Sequence, residues 1–131
     1  MSDPINTRFA HQRLDAYRVA VELFAGVELL ASEFPRGYAE HKDQLRRAAA
    51  SVVRNIAEGA NRLHPRDKAA RFGVARGECG ECEAALEMTE VVGLGDSGRV
   101  RHLRGLADRV AAMLFGLIRR ERARLALADP T

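Results

Sequence analysis

Apolar residues recur at spacings of three and four in four segments of this chain, and each segment ends at a breaker. In the first, Tyr17, Ala20, Val21, Phe24, Val27, Leu30 and Phe34 hold that spacing. A helix is predicted there, beginning near residues 11 to 14 and ending at Phe34. Pro35 sets the end, because proline disfavours helical backbone at the residue before it. Residues 36–42 read as a connector broken by Gly37, and Asp43 is placed to cap a second helix running to about Arg62. Pro65 suits the first turn of a third helix, where its missing N–H leaves no bond unmade. The stripe of that helix is Phe72, Ala75, Cys79, Cys82, Leu86 and Thr89. Residues 93–98, rich in glycine, are the clearest loop, with Asp96 or Ser97 available to cap the last helix. Leu103, Leu106, Val110, Met113 and Leu117 supply its stripe. No period-two strand pattern and no repeat of solenoid length is present.

These elements imply an all-α fold. Short connectors between long helices favour antiparallel neighbours, hence an up-down-up-down four-helix bundle over residues 11–125. Residues 1–10 and 126–131 fall outside the pattern and are expected to be flexible tails. The second helix is apolar over more than one core stripe. At about 100° per residue, Leu45, Ala48, Val52, Ile56, Gly59 and Leu63 share one face. Arg47, Ser51, Arg54, Glu58 and Arg62 form a polar face, and Ala49, Val53, Ala57 and Ala60 a strip of small residues on the other flank. Such a helix is normally covered on two sides, here by its own bundle and by a neighbouring subunit. In the third helix Gly73, Gly77, Gly80 and Ala84 share a face. Glycine inside a helix costs roughly 1 kcal/mol relative to alanine. Close approach of another backbone, from this chain or a second subunit, would offset that cost.

The run Gln44-Leu45-Arg46-Arg47-Ala48, then Ser51, then Asn55-Ile56-Ala57-Glu58-Gly59 resembles the signature of the bacterial four-helix bundle proteins, also called 23S rRNA intervening-sequence proteins. The likeness extends outward through Leu14, Tyr17 and Phe34-Pro35 to Phe72, Ala75, Gly77 and Glu81, covering roughly residues 11 to 120. Two positions depart from the pattern. Val53 stands where members often carry proline, and Gly77-Glu78 replaces a familiar Gly-Ser. The resemblance implies a ring-like homo-oligomer, a homopentamer, of antiparallel bundles. A related branch, the accessory variability determinants of diversity-generating retroelements, assists a reverse transcriptase and binds nucleic acid.

Composition narrows the picture. Apolar residues make up 47% of the chain but aromatics only 5%, with no tryptophan, so Leu, Val, Ile and Ala must fill the core. The first residues lack the basic and apolar regions of a signal peptide, and the nearly apolar run 110–118 is too short for a bilayer. Two cysteines without an export signal point to the cytoplasm. Net charge is a mild +3, yet Lys42 and Lys68 are the only lysines. That arginine bias suits phosphate binding, and it equally suits a GC-rich genome. Eight arginines lie between Arg99 and Arg124 against Asp108 and Glu121, whereas residues 77–90 hold five glutamates and no base.

Candidate chemistry is sparse. Cys79 and Cys82 have CxxC spacing but sit on the core stripe in mid-helix, so packing is the expected role. His11, His41, His64 and His102 are scattered, and His64 reads as a solvated loop residue. No catalytic constellation, cofactor motif or metal-ligand set can be assembled. Glu58 can reach Arg54 and Arg62 at four-residue spacing, and Asn55 lies at the edge of the core, where it could fix helix register or an intersubunit contact. Glu81 is expected to pair with an arginine of the second helix. Asn55, Glu58, Gly59 and Glu81 thus form a structural signature. The expected function is a non-enzymatic oligomeric binding protein contacting RNA or DNA phosphates. Its candidate arginines are Arg46, Arg47, Arg54 and Arg62 with Arg119, Arg120, Arg122 and Arg124. The alternative is an assembly adaptor that docks a partner protein, such as a reverse transcriptase. No alternation of aromatics with arginines is visible, which argues against a base-stacking platform.

Overall fold

A computed structural model of the chain describes residues 9–128. After a short 3-10 turn at Ala10–Arg13, four helices follow: α1 Asp15–Ala31, α2 Ala39–Ala60, α3 Pro65–Val92 and α4 Ser97–Ala128. Among the described residues there is no strand. Each helix packs on its neighbours in the chain, and α1 closes the bundle against α4. No helix among the described residues is long and apolar enough to cross a membrane.

Local chemistry explains most helix ends, with several departures from the sequence pattern. α1 stops three residues before Phe34, because Glu33 and Phe34 donate to Leu30 and Ala31 in tight turns. α2 begins at Ala39, so Asp43 lies inside the helix and Tyr38 takes the cap position. Gly37, at φ 100°, makes the preceding bend, and nothing between residues 39 and 43 opposes helix. His64 is a cap, not a free loop residue: its Nδ1 accepts the Arg66 N–H at 3.0 Å, with Pro65 in the first turn. Gly93 closes α3 in the left-handed conformation at φ 74°. The Asp96 carboxylate accepts the Arg99 N–H at 2.8 Å and opens α4. α4 continues to Ala128, into the span expected as a tail. The other expected tail positions, 1–8 and 129–131, lie outside the described residues.

The core is built mainly from aliphatic residues of all four helices, with Phe72 its one fully buried aromatic. In α1 the buried face runs through Ala16, Val19, Ala20, Leu23, Val27 and Leu30, while Val21 points outward. In α4, Leu114 and Ile118 are buried and Met113 and Leu117 only partly so. Leu63 lies beyond the end of α2 and is 97% exposed, so the predicted stripe ends at Gly59. Ala49 and Ala60 of the small-residue strip are buried by the chain's own bundle, leaving less of that flank for a second subunit.

Asn61 anchors the start of the described chain to the end of α2. Its Oδ1 accepts the Ala10 N–H at 3.2 Å, and its Nδ2 meets His11 Nδ1 at 2.8 Å. At the other end, Thr89 donates to the Ala85 carbonyl at 2.8 Å and so accepts from His41 Nε2, also at 2.8 Å. That bond ties the first turn of α2 to the last turns of α3.

At Gly59, α2 lies close against an aromatic ring of α3. A Cβ there would stand 2.9 Å from two ring atoms of Phe72 and 3.1 Å from Arg71 Cβ. Phe72 is 1% exposed, and its ring is a rigid group in the core. Gly59→Ala should therefore lower stability in urea unfolding by about 1–3 kcal/mol, the cost of overpacking. An unchanged midpoint would show that α2 and α3 can separate there freely.

Candidate nucleic-acid interface

The eight candidate arginines fall into two groups. Arg46 on α2 donates to Glu28 of α1 at 2.9 Å, and Arg62 donates to Glu58 at 2.9 Å. Arg120 and Arg124 flank Glu121 at 3.3 and 3.1 Å. Arg47, Arg54, Arg119 and Arg122 make no ion pair within 4.0 Å among the described residues. Folding thus halves the candidate set.

Glu121 escaped the sequence reading. It is 1% exposed, on the same face as the buried Leu114 and Ile118. Its spacing of seven from Leu114 and three from Ile118 could have signalled that position. Arg120 and Arg124, each about half exposed, supply the charge that a buried carboxylate requires. They are structural, unlike Arg119 and Arg122.

The signature residues divide similarly. Asn55 donates to the Ser51 carbonyl at 2.9 Å and to its hydroxyl at 3.0 Å, a link within α2 and not a register device between helices. Glu58 pairs with Arg62, and at 3.7 Å with Arg71 of α3, in place of the expected Arg54. Glu81 makes no ion pair within 4.0 Å with an α2 arginine. Instead it stands exposed beside a groove of about 610 Å³ between α2 and α3. Gln44, Arg47, Ser51 and Arg54 line one wall, and Glu78, Glu81 and Met88 the other. Two arginines face two carboxylates, so the groove is near neutral. Such a mixed surface suits a polypeptide better than a phosphate backbone.

The acidic segment of α3 is largely spent inside the chain. Arg104 of α4 donates to Glu83 and, at 2.9 Å, to Glu90, with Glu87 at 4.0 Å. Those hydrogen bonds, Glu83 first and Glu90 second, hold the guanidinium above its ordinary pKa. Gly73, Gly77 and Gly80 remain open, since nothing lies within 4 Å of a Cβ placed on any of them. No backbone among the described residues accounts for them.

The sequence pattern of the 23S rRNA-intervening sequence protein family matches residues 12–116. The chain belongs to that family. Its fold is similar to that of a protein of unknown function from the S23 ribosomal protein family of Bacteroides thetaiotaomicron. That likeness has a TM-score of 0.72 at 17% identity, over 79% of this chain and 97% of the other. No curated protein matches. The run 44–59 that resembles the family signature lies on α2, with Leu45, Ala48, Val52, Ile56 and Gly59 buried and Arg47 on the groove.

Cys79 and Cys82 are unpaired and buried, and the Cys79 thiol donates to the Ala107 carbonyl at 3.1 Å. Among the described residues no group of three or more His, Cys, Asp or Glu could hold a metal ion. Burial pushes the Cys79 thiol from its ordinary 9.0 up to about 11 and Cys82 up to about 12. The unfolded chain ionises these thiols at lower pH than the folded chain does. Their contribution to stability is therefore complete below pH 9.0 and lost as pH rises toward about 11 to 12. Urea unfolding against pH should show that alkaline loss. Cys79→Ala with Cys82→Ala should abolish the thiol part of it, at a neutral-pH cost of roughly 1–3 kcal/mol. An identical alkaline slope in the double variant would show that the thiols do not titrate with folding.

Proposed function

We propose that this chain is a non-enzymatic, oligomeric binding protein of the cytoplasm that contacts RNA or DNA phosphates through unpaired arginines of α4. The observation that carries this reading is the exposure of Arg119 and Arg122, which have no carboxylate at three- or four-residue spacing. Arginine in that setting offers a paired donor fork with no internal competitor. The name of the family points the same way, and two buried, unpaired thiols fit a reducing compartment. Phosphate contact needs only charge and reach, so binding is weakly sequence-specific and salt-sensitive. Arg47 and Arg54 have a different role in this reading. The neutral α2/α3 groove and the open Gly77 and Ala84 beside it serve assembly.

The assembly is a ring-like homo-oligomer of antiparallel up-down-up-down bundles, a homopentamer by resemblance to the family. Opposed residue pairs such as Arg76 with Phe115 and Glu83 with Arg104 support the antiparallel course of α3 and α4. A ring repeats each arginine in every subunit, so +3 per chain can still produce a strong local field. The second reading, an adaptor docking a partner protein such as a reverse transcriptase, is favoured by the same mixed-charge groove. It gains ground if the protein assembles but binds no nucleic acid.

Assembly is tested by light scattering, which should give a stable multiple of the 14.4 kDa chain. Gly77→Leu with Ala84→Leu should dissociate it. Leucine is a better helix former than glycine and nearly as good as alanine, so helicity should persist. A wild-type monomer over a wide concentration range would sink the assembly reading.

Binding is tested by separating the two arginine pairs. Arg119→Gln with Arg122→Gln should flatten the slope of log affinity against log salt and leave unfolding unchanged. Arg120→Gln with Arg124→Gln should instead destabilise the fold by about 1–3 kcal/mol, because Glu121 loses its partners. Equal stability losses in both pairs, or no salt-sensitive binding by the wild type, would contradict this division of labour.

A further inference from the structure

Read along the sequence, arginines and aromatics do not alternate, but folding brings them together across two helices. Phe115 of α4 is 49% exposed. Arg119 Cζ lies 5.8 Å from its ring centroid, and Arg76 Cζ of α3 lies 5.5 Å away. Neither arginine makes an ion pair within 4.0 Å among the described residues. No carboxylate stands three or four residues from Arg76, Phe115 or Arg119 on its own helix.

We propose that Arg76, Phe115 and Arg119 form a stacking site for an unpaired base of a single-stranded nucleic acid. The proposal rests on the phosphate-binding reading above and adds a preference that phosphate contact alone does not give. Three features carry it. First, a half-exposed phenyl ring offers a flat apolar face, and every nucleobase has a complementary one. Second, the two guanidiniums bring positive charge to the ring, where a strand also presents phosphates, and Arg122 adds a third charge one turn beyond Arg119. Third, the surroundings are low. Gly73 and Gly80 stand three and four residues from Arg76, and Gly116 follows Phe115. Nothing lies within 4 Å of a Cβ on any of the three. A planar ligand therefore meets no obstruction at those three positions, and only the two guanidiniums stand over the ring.

The exchange on binding is favourable in magnitude. An exposed cation–π contact is worth about two- to fivefold in an equilibrium. A base stacked on an aromatic side chain is worth at least about fivefold. A base can thus displace one guanidinium from the ring and free it for a phosphate. A duplex keeps its base faces stacked inside and gains only the charge. A protein ligand would need carboxylates for the arginines and an apolar group for the ring together, whereas a single strand carries both requirements in every nucleotide.

The test compares an unstructured oligonucleotide, as RNA and as DNA, with the duplex of the DNA sequence, by fluorescence anisotropy at fixed low salt. Wild type should favour the single strands. Phe115→Leu, which keeps an apolar side chain, should weaken single-strand affinity at least about fivefold. Duplex affinity, salt slope and light-scattering mass should stay unchanged, and Phe115→Tyr should retain wild-type affinity. Equal single-strand affinity in Phe115→Leu overturns the stacking site but leaves phosphate binding standing. Parallel loss on both strand types with a fall in mass makes Phe115 a subunit contact and overturns the site as well. No binding of wild type to any probe overturns the phosphate reading and this proposal together.

Discussion

The approach of α2 to α3 at Gly59 sets the geometry of the bundle. With no side chain there, the Phe72 ring lies flush against α2 and is fully buried. A bulkier residue would hold the two helices apart along their length, since packed interiors transmit strain and do not absorb it locally. Asn61 and His64 then secure the short connector, one binding the start of the described chain and the other capping α3. At the far end of the same pair, the His41–Thr89 bond fixes the spacing again. The groove between Arg47, Arg54, Glu78 and Glu81 lies between those two points, so its width follows from contacts outside it.

Charge is distributed by a related logic. Arg104 draws Glu83, Glu87 and Glu90 to the α3/α4 seam, and Arg120 and Arg124 neutralise Glu121. Both clusters use arginines that look like free phosphate ligands when only the sequence is counted. What remains outward is a smaller, sharper set. Surface ion pairs contribute little to stability, so a fold gains little by pairing every charge. The arginines left without a carboxylate are therefore neither required by the bundle nor costly to it.

The number of helices and most breakers were legible in the sequence, because proline and glycine act through local backbone sterics. The phase of α1 was less legible. Val21 and the pair Val19 and Leu23 all satisfy three-four spacing in a helix dense in small apolar residues, and only the packing of α4 decides between them. Asp43 misled because a good capping residue is also tolerated within a helix. The resemblance located the α2 signature, but whether an arginine on it is free depends on carboxylates far away in sequence, as with Arg46 and Glu28. In the Phe115 cluster only the Arg119 contact, four residues along α4, could be read from the sequence. Arg76 reaches the ring only because α3 and α4 pack together.

The run 44–59 consequently encodes two things on one helix. Leu45, Ala48, Val52, Ile56 and Gly59 fall on the buried side and fix how α2 sits in the bundle. Arg47, Ser51 and Arg54, at spacings of four and three, line up over about 10 Å on the adjoining side. Their direction is fixed by the buried stripe, because both faces belong to one rigid helix. Shifting the core register by a single residue would rotate both arginines by about 100° and close the alignment with Glu78 and Glu81. The run therefore behaves as a unit in which core packing aims surface charge.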